Sequence, residues 1–261
     1  MLTSTCLSRD CPQSAGRNPV KYAVLGDIHA NLEALTAVLE DARAAGCTHH
    51  ACVGDIVGYN ANPKECLETI REIGIPCVKG NHDEYSSAND VPQNLNPRAK
   101  AAILWTRQKL TEADKEWLRD LRYTRLVACF SIVHATLDSP RGWGYVLDKF
   151  SAAASFTYQT TSVCFFGHTH VPRVFMRDSV VRSCTYSKFK IEPGCKYFVN
   201  VGSVGEPRDG NPLAAYVIYD ISQGSIELRR VPFDVDRTEA KLREAGLPGR
   251  APQIALPRRN V

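Results

Sequence analysis

The stretch Tyr22-Ala23-Val24-Leu25-Gly26-Asp27-Ile28-His29 decides the fold. A short apolar run that stops at Gly-Asp has the pattern of a buried strand. Behind it, Asn31 to Ala45 carries Leu32, Leu35, Val38 and Leu39 at helical spacing and stops at Gly46. The unit then recurs. Ala51-Cys52-Val53 reads as a second strand ending in Gly54-Asp55, and Pro63 to Ile73 as a helix halted by Gly74. Ile75 to Lys79 reads as a third strand, ending in Gly80-Asn81-His82-Asp83. This alternation is the order of a parallel sheet with crossover helices.

Two more helices are expected near Pro97 to Leu110 and Glu112 to Leu121. Leu126 to Val133 reads as strands that end at His134. A helix from Asp148 to Tyr158 leads into Val163 to Phe166, which ends at Gly167-His168-Thr169-His170. Then come short β-rich runs at Val171 to Met176, Tyr197 to Val201, Ala215 to Tyr219 and Ser225 to Val231, expected to be mostly antiparallel. Asp234 to Glu244 has the look of a closing helix. Residues 1–19 read as a loose leader without the apolar stretch of a secretory signal. Residues 20–246 read as one domain and 247–261 as an Arg- and Pro-rich tail.

Composition bounds the function. Of 261 residues, 44% are hydrophobic and 23% charged, a globular balance that excludes wholesale disorder. A net charge of +4 gives no reason to expect specific nucleic-acid binding. No apolar run approaches the ~18 residues of a membrane span. The ten cysteines are scattered singly, so they read as reduced thiols of a cytoplasmic protein. Cys6 and Cys11 lack the second pair a zinc site needs.

The histidines are the informative residues. Of seven, five fall just after an expected strand: His29, His82, His134, His168 and His170. Asp27, Asp55 and Asn81 occupy the same kind of place. In an open α/β sheet, residues beyond the carboxyl ends of the strands converge on one crevice. His49 and His50 precede their strand and are assigned to surface and turn. Carboxylate, imidazole and amide oxygen together suit divalent Mn, Fe, Zn or Ni. Eight groups exceed the needs of one ion, and a carboxylate shared between two is economical. Two ions ~3.5–4 Å apart can hold the attacking and phosphoryl oxygens of an in-line displacement.

These blocks resemble the calcineurin-like metallophosphoesterases, whose pattern is D-x-H, GD, GNH-D/E, a lone H and GH-x-H. Here it reads Asp27-Ile28-His29, Gly54-Asp55, Gly80-Asn81-His82-Asp83, His134 and Gly167-His168-Thr169-His170. The resemblance spans Val20 to Gly246. Gly54 to Pro63 and Gly202 to Pro212 look closest to the small bacterial and archaeal phosphodiesterase branch.

The resemblance implies an α/β fold, a four-layer α/β/β/α sandwich of two face-to-face mixed β-sheets flanked by helices. It implies that Asp27, His29 and His170 bind one divalent metal ion, that Asp55 bridges, and that Asn81, His134 and His168 bind a second, with Mn favoured. A bridging hydroxide would attack phosphorus while His82, not a ligand, faces the leaving group as general acid. The implied substrate is a small phosphate ester, nucleotide-like in one reading. A phosphomonoesterase or nucleoside-polyphosphate hydrolase would need the same ligands. The retromer scaffold subunit resembles the fold but binds proteins and lacks the acid histidine, which His82 supplies here. A homo-oligomer is left open.

Protein phosphatases of the superfamily carry an Asp three residues after the bridging one. Gly58 stands there, so the partner that orients His82 is unidentified; Asp83 is adjacent. Ala135 and Val201 replace a Gly and a Pro of close relatives. Arg208 could grip a phosphate or pair with Asp209 or Glu206. Asn31 could contact phosphate or cap the first helix. Asn60 and Tyr59 could line the site or shape a loop. Trp143 and Tyr145 could stack on an aromatic leaving group or serve packing. Phe175, Met176 and the Leu32, Leu35, Leu39 stripe read as core.

Overall fold

Strict alternation along single strands builds the layers of this chain. The computed structural model describes residues 20–249. The first strand, β1 (Lys21–Leu25), turns Tyr22 and Val24 to one face and Ala23 and Leu25 to the other. In chain order there follow α1 (Leu32–Ala44), β2 (His49–Cys52), α2 (Pro63–Ile73), α3 (Asn81–Ser87), α4 (Pro97–Lys109) and α5 (Glu112–Asp120). Then come β3 (Thr124–Val127), β4 (Phe130–Val133), α6 (Lys149–Tyr158), β5 (Val163–Phe166), β6 (Arg173–Arg177), β7 (Val181–Cys184), β8 (Lys188–Lys190) and β9 (Lys196–Asn200). The last are β10 (Ala214–Asp220), β11 (Ser225–Val231) and α7 (Val235–Glu244).

The described strands form two mixed sheets, ordered β2-β1-β10-β11-β8 and β3-β4-β5-β9-β6-β7. Tyr22 and Val24 meet Phe165, Val199, Val217 and Tyr219 in the layer between the sheets. Ala23 and Leu25 face outward against Leu35 and Val38 of α1 and Leu67 and Ile70 of α2. On the second sheet, Cys164 and Phe166 turn outward to Ala152 and Phe156 of α6. Three apolar layers separate four layers of structure, the sandwich expected above. Each large core side chain contributes by burial; Phe165→Ala would cost about 3–5 kcal/mol. Phe175, Leu35, Leu32, Leu39 and Met176 pack in or against these layers as expected.

Local signals set the ends. Asn31 caps α1 by accepting from the Ala34 amide at 3.1 Å. Pro63 opens α2, and Gly74, at φ +69°, ends it in the left-handed conformation. The second half is mostly antiparallel as read, although β9 runs parallel to β5. Val201 shows why a proline is not needed there: its amide donates to the Phe166 carbonyl at 2.9 Å, beyond the end of that ladder.

Four readings are corrected. The third strand, Ile75 to Lys79, is one bridge between Cys77 and Cys52, because Pro76 donates no amide and Lys79 N turns away to the Arg122 carbonyl. His49 and His50 do not precede β2 but begin it, and the His49 ring stacks on Tyr22 at 4.9 Å. Asn81 to Ser87 is a helix, because Asp83 reaches back to the Gly80 amide at 3.0 Å. The short polar strands β7 and β8 carry too few apolar residues to have been read. The leader, Cys6, Cys11 and residues 250–261 of the tail lie outside the described residues.

Candidate metal centre

The carboxyl ends of β1 and β2, which run parallel, and of β4 and β5, also parallel, meet at one rim. Backbone bonds lock the loops: Asp27 N donates to Gly54 O at 2.9 Å, and Gly167 N to His134 O at 3.0 Å. Asp27, His29, Asp55, His168 and His170 all have left-handed backbone, with φ between 49° and 66°. That conformation costs a non-glycine residue about 1–2 kcal/mol. Packing is tight enough that a Cβ at Gly80 would overlap the Asp55 carboxylate, and one at Gly167 the Asp27 carboxylate.

All seven ligand candidates reach this point. His170 Nε2 lies 3.2 Å from Asp27 Oδ1 and 3.1 Å from His29 Nε2. Asp55 Oδ2 sits between His29 Nε2 at 3.5 Å and His134 Nε2 at 3.4 Å. His134 Nε2 in turn faces Asn81 Oδ1 and His168 Nδ1, each at 3.2 Å. Potential ligand atoms of Asp27, His29 and His170 fall within 4.8 Å of one another, as do those of Asp27, Asp55 and His134. A third such group joins His29, Asp55 and His82.

The far nitrogen of four imidazoles is pinned by a backbone carbonyl. His29 Nδ1 pairs with Val57 O at 3.2 Å, and His134 Nδ1 with Val53 O at 2.9 Å. His168 Nε2 pairs with Trp143 O at 2.9 Å, and His170 Nδ1 with Glu206 O at 2.6 Å. A carbonyl only accepts, so that nitrogen carries the proton. In the neutral ring the other nitrogen then aims its lone pair into the cluster. Buried lone pairs and two carboxylates facing each other are repulsive unless a cation lies among them, and this second-layer arrangement is the one that orients metal-binding histidines. The donor set therefore fits divalent ions of mixed oxygen and nitrogen preference. Burial alone would lower His134, yet the neighbouring Asp55 carboxylate raises it to about 10. The cluster draws positive charge.

His82 is set apart. Its Nδ1 is buried without a partner, and its amide donates to Asp55 Oδ1 at 2.8 Å. A Cβ at Gly58 would overlap that nitrogen, so position 58 has no room for a carboxylate with His82 where it stands. Burial pushes the imidazole down to about 4. Asp83 does not orient it. The Asp83 carboxylate instead accepts the amides of Asp55, Ile56, Val57 and Gly80 at 2.8–3.2 Å, clamping the two loops together. Sequence reading missed this clamp; the signal was the acid three residues after Gly80.

A family model described as the calcineurin-like phosphoesterase superfamily domain matches residues 20–224. The chain belongs to this superfamily. It is 34% identical over 232 residues to the uncharacterized protein MJ0912 of Methanocaldococcus jannaschii, covering 87% of this chain and 93% of that one. A solved metallophosphoesterase from Sphaerobacter thermophilus is 34% identical with a TM-score of 0.78, covering 88% of this chain and 96% of its own. The protein PH1004 of Pyrococcus horikoshii OT3 shares the fold at 20% identity, with a TM-score of 0.73 and coverage of 88% and 94%.

In this calcineurin-like chain, the two stretches that carry the phosphodiesterase resemblance touch each other beside the cluster. Tyr59 packs on His29 at 4.7 Å and on His82 at 4.4 Å, and its hydroxyl meets Arg208 Nη2 at 3.3 Å. Asn60 reaches Glu206 at 3.4 Å. The carboxylates that could have neutralised Arg208 are taken: Asp209 pairs with Arg230, and Glu206 with Arg98. Arg208 is thus without an ion pair among the described residues. Asn31 corrects one expectation. It is fully buried, its oxygen caps α1 and its nitrogen donates to Gly205 O at 3.2 Å, so it faces no substrate. Tyr145 stacks on His168 at 4.3 Å and is 55% exposed.

Proposed function

We propose that this chain is a phosphodiesterase working with two divalent ions, Mn favoured. Asp27, His29 and His170 would hold one, Asn81, His134 and His168 the other, with Asp55 shared. When bound, such ions polarise phosphoryl oxygens and make water acidic enough to attack near neutral pH. One observation carries this reading: four buried imidazoles are each fixed by a carbonyl, with the opposite nitrogen of His29, His134 and His170 turned to Asp27 or Asp55 and that of His168 to His134.

The chain's own groups supply the rest. Two carboxylates against two dications leave about +2, which attracts an anionic ester. Arg208, held by the Tyr59 hydroxyl and free of carboxylates, grips a phosphoryl oxygen. His82, unpinned at Nδ1, delivers a proton to the departing oxygen once the anionic ester beside it favours the imidazolium form. The diester assignment is supported by residues 54–63 and 202–212, which meet at Tyr59 and Arg208. The eight cysteines among the described residues are all free, which suits a reducing, cytoplasmic setting. No helix of the described residues is long and apolar enough to cross a membrane.

The test is a substrate panel with added Mn: an aryl diester, an aryl monoester, cyclic nucleotides and dinucleoside polyphosphates. The diester should be hydrolysed fastest. Preference for the monoester or the polyphosphate would overturn the diester assignment. Bound metal without hydrolysis of any of them would favour a scaffold.

A further inference from the structure

Trp143 stands between the cluster and a groove that the site described above does not use. Its ring packs against His134 at 5.7 Å on one side and against Tyr123 at 5.9 Å on the other. Past Tyr123 lie two adjoining cavities, of about 560 and 810 Å³. They share Arg122, Thr124 and Pro140; Arg141 lines the smaller and Arg125 the larger. All three arginines are exposed, and none has an ion pair among the described residues. Asp120 is the one carboxylate residue lining the larger cavity, so cations outnumber it three to one across the groove. Lys79 and Arg141 both lie over the Tyr123 ring, at 5.0 and 4.7 Å.

Exposed arginines usually find carboxylates or scatter; here three guanidiniums without an ion pair line two adjoining cavities, Arg122 and Arg141 beside Thr124 and Ser139 in the smaller and Arg125 in the larger. Such forks match phosphate oxygens. Between them and the cluster stands the Trp143 ring, and the exposed Tyr145 lies on His168 of the cluster, so both offer stacking area.

We infer that this groove is a distal anion subsite, and that the substrate carries, beyond the scissile phosphate, an aromatic group and then a second phosphate. A 5′-phosphorylated dinucleotide has this chemistry. The inference rests on the phosphodiesterase reading and narrows its substrate class.

Two dinucleotides that differ only in the 5′-phosphate test it on the full-length, metal-loaded chain. The phosphorylated one should have a kcat/KM about tenfold higher, mainly through KM, since one charge-assisted contact is of that size. Arg122→Ala combined with Arg141→Ala should erase the preference and leave the unphosphorylated dinucleotide unaffected. Absence of a preference, or its survival in the double variant, overturns the subsite. If neither dinucleotide is cleaved, the phosphodiesterase reading fails on its own. Calorimetric titration with inorganic pyrophosphate then decides the groove: weaker binding by the double variant supports it, and equal binding by both proteins rejects it.

Discussion

His29 Nε2 and His170 Nε2 face each other across 3.1 Å in a fully enclosed space, each ring fixed from behind by a carbonyl. Neither neutral ring has a proton to place between them. The contact is stable only with positive charge nearby. Chelation should therefore lower the unfolding midpoint, and returning Mn at about a thousand times its dissociation constant should restore about 4 kcal/mol. Asp55→Asn should lose the ion pair in elemental analysis. Two ions retained per chain would refute the shared carboxylate, and an unfolding midpoint indifferent to chelator would refute the centre.

His82→Ala should keep both ions and lose about 10²–10⁴-fold in turnover of a diester with a basic leaving group. The loss should be smaller for a nitrophenyl ester, whose leaving group needs no proton. Parental rates on the basic leaving group would sink the acid assignment.

Burial holds the His82 imidazole down at about 4, against ~6.5 in an unfolded chain. Below ~6.5 the unfolded state binds a proton that the folded state refuses, so this group's share of stability falls as pH drops from 6.5 toward 4. His82→Gln removes that linkage. Relative to the parent, and in chelator, the variant should gain about 2 kcal/mol between about pH 7 and pH 5. Denaturant midpoints of both proteins at the two pH values give the answer; a constant difference contradicts it.

Asp83→Asn replaces an acceptor of four amides with a group that accepts through one oxygen. Stability should fall by about 2–3 kcal/mol, since buried amides lose their partner. Metal affinity should fall as well, because the clamp sets where Asp55 stands. Unchanged midpoints together with unchanged metal content would show that the loops hold themselves.

Much of this was legible in residue order. β1, α1, α2, β5 and α7 follow from apolar spacing closed by Gly or capped by Asn and Asp. The gathering of Asp27, Asp55, Asn81 and the histidines follows from their position after strands. What was not legible depends on partners distant in sequence. Pro76 cannot be recognised as ending a ladder until Cys52 is known to lie beside it. Asp83 looks like an orienter of its neighbour until the amides of residues 55–57 come within reach. That Arg208 has no ion pair depends on Arg98 and Arg230 having taken the nearby carboxylates, and no local pattern encodes that.

The left-handed backbone at Asp27, His29, Asp55, His168 and His170 has an evolutionary edge. Glycine at His29, His168 or His170 would relax the main chain by about 1 kcal/mol, whereas at Asp27 or Asp55 it would also strip a buried amide of its acceptor. A laboratory selection for heat resistance alone would thus be rewarded for dismantling the centre. Campaigns to harden this protein should screen every survivor for turnover, because tougher and inert would arrive together.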